Sequence, residues 1–136
     1  MNIKSIVILI VLALISAAIF FYIYNLPSEI ESVAVTQDPS SMDEGARSFT
    51  DVSKEIFVLV KLSKFKKDEN IKISWYKKTK DNLLLMQDTN VKTINDGSGY
   101  LKLSLVNKNG KYDSGNYLVD VYFNSRKEAS LEFAVK

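Results

Sequence analysis

The stretch Asp113-Ser114-Gly115-Asn116-Tyr117-Leu118-Val119-Asp120-Val121-Tyr122-Phe123 decides the fold, because a polar turn leads directly into a strictly alternating segment. Successive side chains of a strand point to opposite faces of the sheet. One face is apolar and carries Tyr117, Val119, Val121 and Phe123. The other face carries Leu118, Asp120 and Tyr122. Such a strand covers a core on one side only, so the sequence predicts a β-sandwich strand.

Further segments with strand patterns lie on both sides of this stretch. Residues 55–62 and 70–76 alternate, and their inward sets are Ile56, Val58, Val60 and Leu62, then Ile71, Ile73 and Trp75. Residues 83–86 form an apolar run too short for a stable helix. Later inward sets are Leu101, Leu103 and Leu105, then Leu131, Phe133 and Val135. Turn residues at 95–99, at Asn109-Gly110 and at 124–127 separate these segments, so we expect an all-β sandwich of about seven strands.

The segment Asp113 to Tyr117 resembles the D-x-G-x-Y-x-C motif of immunoglobulin domains, and Trp75 matches their buried tryptophan on strand C. The resemblance covers roughly Phe49 to Val135. The chain is also similar to bacterial membrane-anchored extracytoplasmic modules that end in G-x-Y-x-V-x-V-Y and E-F-x-V. The resemblance implies an Ig-like antiparallel sandwich in which residues 55–62 are strand B.

The same resemblance assigns a role to Tyr117 and shows one departure. Tyr117 would be the tyrosine-corner residue, whose hydroxyl bonds back to nearby backbone. Val119 stands where the family has its second cysteine. A hydrophobic contact with Val58 or Val60 would then replace the family's disulfide.

The N-terminal segment from Ile6 to Tyr24 contains no charged residue and is long enough to cross a bilayer. Lys4 precedes it while Glu29 and Glu31 follow it, so the positive-inside rule places the N-terminus in the cytoplasm and the later residues outside. The alternative is a signal peptide cleaved at residues 16–18, which would give a secreted protein. Cleavage would leave six apolar and aromatic residues exposed, which favours an uncleaved single-pass anchor.

These features divide the chain into four parts. Residues 1–5 are expected to be a cytoplasmic tail and residues 6–24 the transmembrane anchor. Residues 25–47 are expected to be a stalk or linker, with a possible edge strand at 30–36 and a polar segment at 37–47. Residues 48–136 are expected to form the sandwich.

Composition argues against several classes of function. The chain has no cysteine and no histidine, which removes the thiol nucleophile, the commonest general base and the commonest transition-metal ligand. We therefore expect no enzyme, no cofactor and no metal site. Asp88, Asn90, Asn95 and Asp96 do not have the spacing of an EF-hand loop and are better explained as turn residues. A net charge of +2 does not indicate nucleic-acid binding.

Positive charge is concentrated between Lys61 and Lys80, where eight lysines stand against Asp68 and Glu69. Such a segment could bind anionic lipid headgroups, envelope polymers or an acidic protein. Lysines also protect edge strands and keep loops solvated, and the sequence leaves these alternatives open.

The resemblance implies that strands C, F and G share one sheet, so their outward residues would form one face. This face comprises Lys72, Ser74, Tyr76, Leu118, Asp120, Tyr122, Glu132 and Ala134. Tyrosine is enriched in recognition surfaces, although cross-strand pairing on a solvated sheet explains the same residues as well.

We therefore expect a membrane-anchored, extracytoplasmic and non-catalytic binding module of the cell envelope. Its partner would be a protein or an envelope polymer, and residues 72, 74, 76, 118, 120, 122 and 132 would form the contact face. The alternative is a structural accessory subunit of a membrane complex, assembled through the transmembrane helix.

Overall fold

The computed structural model describes residues 2–38, 40, 47–51, 54–106 and 111–136. They form one helix and eight strands: α1 Ile3–Tyr24, β1 Glu29–Thr36, β2 Ser48–Phe49, β3 Phe57–Phe65, β4 Asn70–Lys78, β5 Leu83–Lys92, β6 Gly97–Ser104, β7 Gly115–Phe123 and β8 Arg126–Val135. The predicted turn at Asn109-Gly110 lies outside the described residues, as do residues 39 and 41–46 of the polar segment.

Helix α1 carries no charged residue after Lys4, and its most apolar 18 residues have a mean hydropathy of 3.1. The side chain of Asn2 caps its start by accepting a hydrogen bond from the Lys4 N–H. Pro27 follows its end, where a proline disfavours further helix. At about 1.5 Å per residue the helix is about 33 Å long. It is consistent with a single-pass anchor or with a signal sequence.

The strands form two sheets that pack as a sandwich, which confirms the predicted fold class. The smaller sheet has the order β1-β3-β6, and the larger has the order β2-β8-β7-β4-β5. Neighbouring strands are antiparallel, except that β2 pairs with β8 in parallel. Strand β7, formed by residues 115–123 of the alternating segment, lies between β4 and β8, as strand F lies between C and G in the Ig-like fold. The strand beyond the predicted seven is the two-residue β2.

The core lies between the two sheets, and the predicted inward residues of β3 and β4 are buried in it. Trp75 is fully buried and its ring meets Phe133 edge to face, with the centroids 5.9 Å apart. The Trp75 indole N–H has no hydrogen-bond partner among the described residues. Leu101 and Leu103 of β6 are only partly buried, whereas Leu105 is fully buried.

The tyrosine corner that the resemblance implied is present. The Tyr117 hydroxyl donates to the backbone oxygen of Asp113 at 2.5 Å, and the Tyr117 ring stacks on Phe133. Burial raises the pKa of Tyr117 above its ordinary value. Val119 is fully buried in the same core as Val58 and Val60, so hydrophobic packing occupies the place of the family's disulfide.

Strand β1 is an edge strand of the smaller sheet and pairs with β3 over its whole length. Residues 25–28 therefore separate α1 from the first strand, and β1 lies at the possible edge strand of residues 30–36 within the predicted stalk of residues 25–47. The chain pairs with β3 almost as soon as it leaves the helix.

The strand directions define two ends of the sandwich. The helix end contains the start of β1 and the loops at residues 66–69, 93–96 and 124–125. The far end contains the start of β5, the turn at residues 79–82 and the start of β7.

Candidate binding surface

The seven predicted contact residues lie together on the outward face of the larger sheet. Across β4 and β7, Lys72 is opposite Tyr122, Ser74 is opposite Asp120 and Tyr76 is opposite Leu118. Leu118 is in turn opposite Glu132 of β8. These residues alternate with the buried ones, which points them away from the core.

The half of this face toward the helix end is occupied by contacts within the sheet. The Lys72 ammonium lies 4.4 Å from the centre of the Tyr122 ring, a cation–π distance. The Ser74 hydroxyl donates to the Asp88 carboxylate at 2.5 Å, and Ser74 is only 1% exposed.

Asp120 is equally enclosed. Its carboxylate accepts a hydrogen bond from the Ser130 hydroxyl at 2.6 Å, and the Lys127 ammonium lies 4.0 Å from its other oxygen. Asp120 is 5% exposed. Ser74 and Asp120 therefore have almost no surface to offer a partner. We call residues 72, 74, 88, 120 and 122 the closed half of the face.

The half toward the far end is different because it is apolar and exposed. Strand β5 is the edge of the larger sheet, and its first four residues are between 41% and 58% exposed: Leu83, Leu84, Leu85 and Met86. A register shift between Trp75 and Tyr76 places Leu85 opposite Tyr76. Tyr76 and Leu118 are half-buried beside it. Leu83 and Leu85 lie opposite Lys78 and Tyr76 on the outward face, whereas Leu84, opposite Lys77, points to the other side of the sheet edge. We call the six residues 76, 83, 84, 85, 86 and 118 the far-end patch, which surrounds the free edge of β5.

Gln87 fixes the edge strand immediately after this patch. Its side-chain amide donates to the Ser104 carbonyl at 3.3 Å and accepts from the Val106 N–H at 2.8 Å. The amide thus ties β5 to the segment that follows β6 in the smaller sheet. These two hydrogen bonds restrict the movement of β5 directly after the exposed leucines.

Sequence reasoning identified residues 83–86 as a strand but missed their exposure. An apolar run of four residues is equally compatible with a central strand and with an edge strand. The Lys80-Asp81-Asn82 turn gives no further signal, because a turn can precede either.

The lysines between residues 61 and 80 do not form one patch. Lys61 forms an ion pair with Glu31 at 3.0 Å, and the hydrogen bond between them raises the pKa of Lys61 and lowers the pKa of Glu31. Lys78 pairs with Glu132. Lys64, Lys66 and Lys67 are exposed at the helix end, whereas Lys80 lies at the far end. The nine residues of β4 separate the two ends by about 30 Å.

An apolar cleft of about 330 Å³ opens at the helix end, between the end of β5 and the start of β6. Its apolar lining includes Leu62, Phe65, Ile71, Val91, Ile94 and Leu101. Among the described residues, no group of three or more acidic side chains is placed to hold a metal ion. Asp88 and Asp96 in particular are far apart, one within the sheet and the other in the β5–β6 loop.

No protein-family model matches the sequence. No curated protein matches it either.

Solved structures with a similar fold include the C-terminal domain of Wzt, which is 16% identical with a TM-score of 0.50 over 80% of this chain and 73% of that domain. A Niemann-Pick type C2 protein from the Japanese carpenter ant is 14% identical with a TM-score of 0.46, over 81% of this chain and 94% of that protein. The alkylpurine DNA glycosylase AlkC of Pseudomonas fluorescens is 14% identical with a TM-score of 0.46, and the chain covers 30% of its length. The likeness to the Wzt domain shows a shared β-sandwich and nothing about activity.

Proposed function

We propose that this chain is a membrane-anchored, non-catalytic binding module of the cell envelope, and that its far-end patch contacts a protein partner. The observation that carries the proposal is the exposure of four consecutive apolar residues, Leu83 to Met86, on an edge strand. Single exposed apolar residues are ordinary, but a contiguous patch of this kind is typical of interaction sites.

The chemistry of the patch favours a protein as the partner. Leu85 and Tyr76 offer apolar and aromatic contact area, and tyrosine adds a hydroxyl at small entropic cost. The outer edge of β5 also carries backbone N–H and C=O groups that a partner strand could pair with. The patch has one polar side-chain group, the Tyr76 hydroxyl, so it offers few hydrogen-bond partners to an envelope polymer rich in hydroxyl groups.

The anchored, extracytoplasmic arrangement is supported by the composition of α1 and its flanks. Residues 6–24 of the helix carry no charge, and Lys4 lies before this stretch while Glu29 and Glu31 lie after it. By the positive-inside rule this charge distribution directs the sandwich out of the cytoplasm. The lack of histidine and cysteine supports a non-catalytic role.

Site-specific photocrosslinking of the full chain in intact cells tests the proposal. A photoreactive amino acid at position 83 should give a discrete protein adduct. The same residue at position 90, which is exposed on the same strand beside the closed half, is the matched control. The adduct should disappear when Leu85→Ser is added. Equal adducts at both positions, or none at position 83, would contradict the proposal.

Replacing α1 by an unrelated spanning helix separates this function from the alternative of a subunit assembled through its helix. The adduct at position 83 should survive the replacement if the sandwich makes the contact. Its loss would favour assembly through the helix.

A further inference from the structure

The helix end of the sandwich is tied closely to the end of α1. The Ser28 hydroxyl, four residues beyond Tyr24, contacts both the Lys64 carbonyl and the Glu69 carboxylate at 2.9 Å. Four residues span at most about 14 Å. A shallow hollow is lined both by Ile23 and Tyr24 and by the loop after β3. This loop therefore lies within reach of any surface that surrounds the end of the helix.

The end of β3 and the start of the loop after it read Lys64-Phe65-Lys66-Lys67, and we call these four residues the basic loop. All three lysines are exposed, and none forms an ion pair with a described residue. Two acidic side chains lie against this loop, since Glu69 accepts from the Lys66 N–H and Asp96 accepts from the Lys67 N–H.

Both signs of charge are present elsewhere at this end, where Glu29 is exposed and Glu31 pairs with Lys61. Arg126 pairs with Glu128 at 2.6 Å, while Asp68 is exposed next to the loop. Lys92 and Lys127 add two further positive charges. Lys64, Lys66 and Lys67 thus form the largest group of exposed lysines without an ion pair among the described residues at this end, and Asp68, Glu69 and Asp96 lie beside them.

An exposed isoleucine lies beside this basic loop. Ile94 is 77% exposed in the loop between β5 and β6. Its neighbour Thr93 accepts a hydrogen bond from the Asp68 N–H at 2.8 Å through its backbone oxygen, so the two loops are joined. An apolar side chain flanked by lysines is typical of segments that bind the surface of anionic membranes.

We propose that these two loops rest on the anionic surface of the bilayer that holds α1, with Lys64, Lys66 and Lys67 beside lipid phosphates and Ile94 in the interfacial layer. The proposal rests on the anchor of the proposed function and adds an orientation to it. Because the far-end patch is at the opposite end of the strands, this orientation directs the patch away from the membrane.

The test uses the full chain reconstituted in vesicles and a single polarity-sensitive fluorophore. The natural chain has no cysteine, so Ile94→Cys gives one labelling site. Ser114→Cys, exposed at the far end, is the control position. In vesicles that contain phosphatidylglycerol, we expect a blue shift and quenching by brominated lipid at position 94 and neither at position 114. Vesicles of phosphatidylcholine alone should give a weaker signal at position 94.

Charge variants identify the lysines responsible. The triple change Lys64→Gln, Lys66→Gln and Lys67→Gln should remove most of the quenching at position 94. The matched triple change Lys80→Gln, Lys111→Gln and Lys136→Gln, which removes the same charge at the far end, should leave it unchanged. Equal loss in both triple variants would overturn the role of the basic loop.

Flotation of the labelled protein with the vesicles distinguishes this proposal from its premise. A chain that floats but shows a solvent-exposed fluorophore at position 94 overturns the membrane contact and leaves the anchor intact. A chain that does not float overturns both the anchor and the contact. Neither result depends on the protein partner of the far-end patch.

Discussion

The two halves of the larger sheet's outer face differ in what their side chains contact. In the closed half, Ser74, Asp120 and their neighbours satisfy one another through hydrogen bonds and a cation–π contact. In the far-end patch, Leu83 to Met86 are exposed on a strand with a neighbour on one side only. Both halves belong to the same sheet and share strands β4 and β7.

A polar outward face of a sheet can therefore be inaccessible to a partner. Ser74 and Asp120 point outward, yet each is buried because side chains on adjacent strands cover it. Buried polar groups with partners stabilise a sheet, and losing one partner is costly. We therefore expect changes in the closed half to affect stability and changes in the far-end patch to affect binding.

The largest expected effect comes from Trp75→Ala, because Trp75 lies on the inward side of β4 and supports both halves. Removing a fully buried tryptophan should lower the free energy of unfolding by about 3 to 5 kcal/mol. Urea denaturation of the full chain in detergent micelles measures it, with Trp75→Phe as a milder control. A loss below about 1 kcal/mol would show that Trp75 is not a core residue.

The next effect tests the closed half alone. Asp120→Ala removes the acceptor of the Ser130 hydroxyl and the anion beside Lys127, and should cost about 1 to 3 kcal/mol. The photocrosslink at position 83 should remain. Ser130→Ala is the smaller matched change. A lost crosslink with unchanged stability would reverse the roles assigned to the two halves.

The strand faces were predictable from the sequence because side chains alternate with a period of two, and the order of β4, β7 and β8 followed from the Ig-like motif around Tyr117. The burial of Asp120 was not predictable, since it depends on which residues of the neighbouring strands lie beside its side chain. The exposure of Leu85 could not be predicted from the sequence for a related reason. Whether a strand has one neighbour or two is decided by distant pairing, which local sequence does not encode.

Tyr117→Phe should have a smaller effect, because it removes only the hydrogen bond to the Asp113 carbonyl, which is worth about 1 kcal/mol. Burial raises the pKa of Tyr117, and it does the same for Tyr112. The fold therefore favours the neutral phenols. Their contribution is complete below the unfolded pKa of about 10 and is lost as the pH rises through the higher folded pKa.

The melting temperature should consequently fall at alkaline pH, and less steeply in Tyr117→Phe than in the natural chain. Thermal scans from neutral to alkaline pH give both slopes. Identical slopes would mean that Tyr117 ionises equally easily in the folded and unfolded states.

The smallest effect on stability is expected for Leu85→Ser. This change distinguishes a role in binding from a role in stability most clearly. Leu85 is 52% exposed on an edge strand, so the change should alter the free energy of unfolding by no more than about 0.5 kcal/mol. Leu105→Ala, at a fully buried leucine, should cost about 2 to 5 kcal/mol in the same assay. Leu85→Ser should nevertheless abolish the crosslink at position 83, since it places a hydroxyl in the apolar contact. A large loss of stability would instead mean that the leucines of β5 are covered within the protein itself, and the far-end patch would then be part of the core.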